Sequence, residues 1–253
     1  MHKPRIYFPG PLHAGQRITL DAQASQHLLR VLRLPPGAPL TVFNGRGGEY
    51  DGVLGAPAGK LATVDVNAFV DCNRESPLRI TLCQGISRGE RMDYTLQKAV
   101  ELGVADIVPL FTERCEVRLR DERLARRVEH WQALIASACQ QSGRTAVPAI
   151  HHPTTLADWL HIDPPPGADA SDKPLKLVLD PDATQSLSDL TPPAPGTPVM
   201  LLIGPEGGLS DTEIRRTEER GFVRLRLGPR VLRTETAPVA VLAVLQSWWG
   251  DLG

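Results

Sequence analysis

The sequence predicts an α/β protein preceded by a small strand-rich domain, and two patterns carry that prediction. Through the first seventy residues, short alternating apolar stretches are punctuated by turn residues. From residue 78 onward, apolar strand-like runs alternate with amphipathic helical ones, the pattern of a mainly parallel sheet. A chain of 253 residues with 42% hydrophobic content has room for both parts.

In the first part, residues 5–8 read as a short strand. Residues 24–33 read as a helical stretch, stopped by Pro35-Pro36-Gly37. Residues 40–43 alternate. Asn44-Gly45-Arg46-Gly47-Gly48 is a strong turn signal, and residues 49–54 continue beyond it as a hairpin partner. Residues 61–70 alternate again, and 71–77 read as a linker. The expected boundary divides 1–73, a small β-barrel with one helix, from 74–253. In the second part, strands are expected at 78–86, 107–111, 175–179, 199–203 and 223–227. Helices are expected at 92–102 and 123–141, each stopped by a glycine (Gly103, Gly143), and at 212–219 and 238–249. The Pro-rich stretches 163–174 and 191–198 read as surface loops, because strands resume directly after each.

The global balance excludes little. Net charge is -1, so a whole-chain basic signature for nucleic acid is absent. Residues 1–74 nevertheless hold eight Lys/Arg against five Asp/Glu, a modest local excess. The four cysteines (Cys72, Cys83, Cys115, Cys139) form no metal-ligand spacing and read as free thiols, which suits a reducing cytosol. The first residues, MHKPRIYFPG, lack the apolar core of a signal peptide, and no apolar run is long enough to span a bilayer. A cytoplasmic protein with no metal and no membrane partner is expected.

Two segments carry the chemistry. The first is VMLLIGPEGGLSDTE at 199–213. An apolar strand runs into Gly204-Pro205-Glu206-Gly207-Gly208, and Ser210 with Glu213 forms a capping box that opens a helix. The glycines therefore sit at the C-terminal end of a strand, where open α/β sheets bind ligands. Neither a dinucleotide fingerprint nor a phosphate-cradling P-loop is present. Glu206 would repel a phosphate and suits a cationic or hydrogen-bond-donating ligand. The second segment is LRLGPRVLRTETAPVA at 225–240, again a strand end followed by a loop and then a helix near Pro238. Taken singly, the first is also readable as a plain glycine-rich turn and the second as a surface ion-pair group.

Together, GPEGGLSDTE and LGPRVLRTETA resemble the 16S rRNA (uracil-N3)-methyltransferase family of the SPOUT class. QKAVELGVADIVPL at 97–110, Arg114, QQSGR at 140–144 and HLLRVLRLPPG at 27–37 fit the same family in the same order. One departure is Gln140, where the family implies a glutamate. The resemblance implies a PUA-like N-terminal β-barrel that helps hold RNA and a SPOUT methyltransferase domain with a trefoil knot. It also implies a homodimer, with the helix at 123–141, the C-terminal helix and Trp248-Trp249 as interface candidates. The implied substrate is 16S rRNA within the small ribosomal subunit, and the implied cofactor is S-adenosylmethionine.

By the same resemblance the cofactor would contact Ile203, Gly204, Pro205, Glu206, Gly207, Gly208, Leu227, Gly228, Val231, Leu232, Arg233, Thr236 and Ala237, with Leu179 at a third strand end. Methylating N3 of uracil requires loss of the N3 proton, so the site needs a proton acceptor and positive charge near the carbonyl oxygens. Arg233 is the candidate for the charge, and Glu206 or Glu235 for the acceptor. RNA contacts are expected from Arg5, Arg30, Arg33, Arg88, Arg114 and Arg144, because the guanidinium fork matches phosphate. Two other readings stay open: a non-catalytic RNA-binding factor on the same fold, and a SPOUT enzyme acting on a ribose 2′-hydroxyl.

Overall fold

A computed structural model describes residues 3–161 and 173–253. These residues cluster into two compact units. One is Met1–Glu75 with Ala136–Val147, and the other is Ser76–Ile135 with Pro148–Gly253. The Pro-rich stretch 163–174 falls outside the described residues except for its last two positions.

The first unit holds β1 (Arg5–Tyr7), β2 (Arg17–Thr19), α1 (Ala22–Gln26), β3 (Pro39–Phe43), β4 (Glu49–Leu54) and β5 (Thr63–Val70). They form a five-stranded sheet in the order β1-β3-β4-β5-β2, with β3 and β4 joined as the antiparallel hairpin that the glycine-rich turn predicts. Its core gathers Ile6, Leu20, Leu28, Leu40, Val42, Leu54 and Val64. The helix expected at 24–33 is a short α1, capped by the Asp21 side chain, that widens into a π-turn over His27–Val31. There the Leu32 N–H donates to His27 O, and the stretch ends at Arg33 with φ +51°. Strand β2 escaped the sequence reading because only Ile18 of its three residues is buried, too short a signal for alternation.

Residues 136–147, distant in sequence, are stitched into this first unit. Arg5 lies 3.7 Å over the Phe43 ring and donates to the carbonyls of Cys139 and Arg144, both at 2.7 Å. The Tyr7 N–H donates to Gln140 Oε1 at 3.0 Å. A neutral amide oxygen makes this contact, so the bond does not require an acid at Gln140. Arg144 pairs with Glu75, whose second oxygen accepts the Thr145 and Ala146 N–H groups.

The second unit holds β6 (Ile80–Gly85), α2 (Glu90–Glu101), β7 (Asp106–Phe111), most of α3 (Asp121–Ser142), β8 (Ala149–Ile150), β9 (Thr154–Thr155), α4 (Leu156–Leu160), β10 (Leu175–Leu179), β11 (Val199–Ile203), α5 (Asp211–Glu219), β12 (Val223–Leu225) and α6 (Thr236–Trp249). The sheet is parallel throughout in the order β12-β10-β11-β6-β7-β8, with β9 also on β7. Cys83, Val178 and Leu202 pack on one face with Leu156, Leu160 and Ile214. Neighbours of opposite parity, Leu82, Leu177 and Leu201, are buried too, as a parallel sheet covered on both faces requires. The topology positions the site. Strand β6 leads outward to β7, whereas β11 leads the other way to β12. The loops at their C-terminal ends therefore part between adjacent strands, where open sheets take ligands.

Candidate active site

The loop after β11 is held from three sides. Ser210 Oγ accepts the Glu213 N–H at 3.1 Å, and the Glu213 carboxylate accepts the Ser210 N–H at 2.9 Å, so the expected capping box is formed. The other Glu213 oxygen accepts the Glu113 N–H at 2.8 Å, tying in the loop after β7. The glycines are needed for close approach. A Cβ on Gly204 would stand 2.9 Å from the Gly208 carbonyl carbon, so the loop folds back onto itself. Arg114 lies against Gly207 and donates to its carbonyl at 3.2 Å.

The loop after β12 returns from the sheet edge to these same strand ends. Buried Thr234 donates to Gly204 O at 3.0 Å and stands 3.0 Å from Ser87 Oγ and 3.3 Å from Gln84 Nε2. A small polar node thus joins the ends of β6 and β11 to the entry of α6. Sequence reasoning did not single out Gln84 or Ser87, and it met Thr234 only as one residue of the LGPRVLRTETA segment. Gln84 and Ser87 are common polar residues in no motif, and only their burial gives them away.

Between the two loops lies a cavity of about 890 Å³. Leu179, Ile203, the whole segment Gly204–Gly208, Leu227, Val231, Leu232, Arg233, Glu235 and Ala237 line it, as the sequence reading grouped them. Gly228 and Thr236 do not: both are exposed, Gly228 at a turn with φ +66° and Thr236 as the first residue of α6. The structure adds residues that no motif marked. Asp180 accepts from Arg224 Nη2 at 2.5 Å and Nε at 2.9 Å on the wall beside Leu179. Arg91, at the start of α2, donates to Glu206 Oε1 at 3.0 Å and lies 4.0 Å from Glu235 Oε2.

The two acids differ in what they have left to offer. Glu206 Oε1 accepts both the Arg88 N–H at 2.9 Å and Arg91 Nη1. Burial alone would raise its pKa. The hydrogen bonds from Arg88, its own backbone and Arg91, with the Arg91 charge, outweigh burial and hold the carboxyl below the usual glutamate range. Glu206 is therefore a committed anion and a weak proton acceptor. Glu235 Oε2, by contrast, is buried and has no hydrogen-bond partner among the described residues.

The arginines expected to hold RNA divide into two groups. Arg30 and Arg33 are exposed on the π-turn of the first unit. Arg88 and Arg114 are exposed beside the glycine loop, with Arg88 Nη2 paired to Glu116 at 2.7 Å. Arg5 and Arg144 are spent on the structure. The Arg5 guanidinium serves Glu49 and two carbonyls, and Arg144 is buried against Glu75.

Comparison with known proteins places this architecture. Residues 74–246 match the model of an RNA methyltransferase domain, and residues 20–67 that of an RNA methyltransferase PUA domain. The ribosomal RNA small subunit methyltransferase E of Buchnera aphidicola subsp. Schizaphis graminum is 34% identical over 98% of both chains, and that of Bacillus subtilis 26% identical over 90% of this chain and 88% of its own. Among solved structures, a Neisseria gonorrhoeae ribosomal RNA small subunit methyltransferase E bound to S-adenosyl methionine is 38% identical, with TM-score 0.88 and full coverage of both chains. A Legionella pneumophila protein in complex with the bound cofactor SAM is 42% identical, with TM-score 0.90 and the same coverage. On the strength of a domain match over most of its length and relatives aligned almost end to end, this chain belongs to the ribosomal RNA small subunit methyltransferase E family.

Proposed function

We propose that this protein transfers the methyl group of S-adenosylmethionine to N3 of one uridine in 16S rRNA. The observation that carries this reading is that one cavity, at the C-terminal ends of β10, β11 and β12, gathers both motif loops. Its residues suit the cofactor. The volume falls within the roughly 300–1,000 Å³ of small-molecule sites. Apolar Leu179, Ile203, Leu225 and Val231 offer walls for an adenine, and the carboxylates of Glu206 and Glu235 suit a cationic ligand. Bound there, S-adenosylmethionine supplies an electrophilic methyl group that needs no further activation.

The chain's own task is to ready the uracil. Arg233, exposed on the cavity lining, sets a fixed positive charge against the anion that forms as N3 loses its proton. Glu235, whose Oε2 accepts no hydrogen bond among the described residues and lies 4.0 Å from Arg91, accepts that proton. Glu206 holds the glycine loop to the start of α2. Arg30 and Arg33 supply RNA contacts from the PUA domain, with Arg88 and Arg114 beside the active site. We infer further that the protein works in the cytoplasm as a homodimer on the assembled small subunit. Trp248, half exposed on α6, supports an interface there. No described helix is long and apolar enough to cross a membrane. We also infer that the loop after β12 closes a trefoil knot, supported by its return across the strand ends to the Thr234 node.

The deciding experiment is methyl transfer from labelled S-adenosylmethionine to small subunits lacking the modification, followed by nucleoside mass spectrometry. Labelled 3-methyluridine is the expected product. Label on a ribose would move the activity to 2′-O-methylation, and no transfer together with no cofactor binding would leave a non-catalytic RNA-binding factor.

A further inference from the structure

The cavity carries more positive charge than a small cofactor can use. Seven arginines line it against five acids. Three of the seven have partners in the chain: Arg224 on Asp180, Arg91 on Glu206, and Arg114 on the Gly207 carbonyl. Arg233 is assigned above to the uracil anion. Arg215 on α5, with Arg226 and Arg230 on the loop after β12, remain. All three are exposed, and none makes a side-chain ion pair or hydrogen bond among the described residues. The acids on the same lining without an ion pair are fewer, Asp182 and Asp211, since Asp180 pairs with Arg224 and both Glu206 and Glu235 lie within 4.0 Å of Arg91.

Unpaired guanidiniums converging on one opening need an anion. S-adenosylmethionine has a single carboxylate, which one arginine satisfies. The remainder match a ligand with several regularly spaced negative charges, and guanidinium is the group best shaped for bidentate phosphate contacts. We propose that Arg215, Arg226 and Arg230 form a phosphate clamp at the mouth of the active site. They grip the RNA backbone on either side of the target nucleotide while its base enters the cavity. The proposal rests on the methyltransferase reading for the identity of the base, and on the unpaired arginines alone for the grip. The clamp explains how a protein with a net charge of -1 captures a polyanion: the field is local to the site.

The test compares wild type with R215A/R226A/R230A in the full-length protein. Binding to a fluorescein-labelled single-stranded RNA is followed by anisotropy across a KCl series, and S-adenosylmethionine affinity is measured by calorimetry. Each lost phosphate contact should flatten the log–log salt slope by about 0.7, so the triple variant should flatten it by about 2. It should also bind RNA at least tenfold more weakly in the lowest salt and hold S-adenosylmethionine within twofold of wild type. The triple lysine variant keeps the charges and should recover most of the slope, which a folding defect would not allow. An unchanged slope overturns the clamp. So does a parallel loss of cofactor affinity, which would assign these arginines to the cofactor carboxylate. Loss of self-association with RNA binding intact would make them an interface between copies instead, and would equally overturn it. A wild-type protein that methylates no RNA would sink the methyltransferase reading while the salt slope still decided the clamp.

Discussion

Arg233 and Glu206 both lie on the cavity lining, yet their environments give them different work. Arg233 has no side-chain partner in the described chain, so Arg233→Ala should leave calorimetric S-adenosylmethionine binding within about threefold while lowering kcat roughly 10²–10³-fold, the range for removing one preorganised donor. Turnover within twofold of wild type would remove it from the mechanism. Glu206 is a matter of linkage. Its folded pKa lies below the ordinary 4.5, so the folded state favours the ionised form. The stabilisation is complete above that ordinary value and is lost as pH falls through the folded one. Glu206→Gln should accordingly lower the urea midpoint at pH 7, and the gap to wild type should close as pH falls below the ordinary 4.5 and through the lowered folded value. A gap independent of pH would mean that the charge contributes nothing. The strand-end loops were legible in the sequence because their glycines and motif order are local signals. Arg91 and Asp180 were not, because each gains its meaning from a partner more than forty residues away: Glu206 and Arg224.

At the scale of elements, strands β4, β10 and β11 have the expected bounds, and α2, α3, α5 and α6 begin within two residues of expectation. These segments carry strong periodicity with glycine or capping stops, and packing only confirms what local chemistry prefers. Short pieces such as β2, β8, β9 and α4 went unread because two to five residues hold too few periods to register. The π-turn at His27–Val31 shows the other limit, since hydrogen-bond register within a helical stretch leaves no compositional trace. Ser210→Ala should cost about 1 kcal/mol as a lost cap. Glu213→Ala should cost about 2–4 kcal/mol, because two N–H groups, of Ser210 and Glu113, lose their acceptor at a buried side chain. Equal losses in chemical denaturation would deny the Glu113 bond its role. Gly85→Ala tests the junction of β6 and the glycine loop. Its Cβ would stand 2.5 Å from the Pro205 nitrogen, and backbone rather than a flexible side chain must give way. A shift of about 1 Å in the loop is enough for a roughly 10²-fold loss of turnover. Steady-state kinetics at wild-type level would show that the loop tolerates the displacement.

At the scale of the whole molecule, the division into units departs from chain order. Nothing in the composition of residues 136–147 marks them as partners of a sheet more than sixty residues earlier, because the signal is one of pairing: Arg5 with the Cys139 and Arg144 carbonyls, Arg74 with Glu49 and the Gly143 carbonyl, and Arg144 with Glu75. The first unit therefore has a seam closed by arginines, and the seam should be its weak point. Glu49 illustrates the balance. Burial would raise its pKa, but the hydrogen bonds and charges of Arg74 and Arg5 carry it below the usual range, so this part of the seam weakens as pH falls through the lowered value. Arg144 is the most telling position because its side chain is only 7% exposed. Removing it leaves Glu75 facing the Thr145 and Ala146 N–H groups with its other oxygen unpaired. Breaking a buried pair in this way costs about 3–5 kcal/mol, and the partial exposure of Glu75 brings the expectation for Arg144→Ala to about 2–3 kcal/mol. Because Arg5 takes the Arg144 carbonyl and not its side chain, that bond survives the substitution. The unit should loosen along the seam rather than unfold outright. Hydrogen exchange in the full-length protein reads this directly. Amides of β1 and of residues 139–147 should lose protection, while those of β10 and β11 in the other unit keep theirs. Uniform loss across both sheets would mean that the seam is not a separate cooperative element, and unchanged protection along β1 would mean that Arg144 does not hold it.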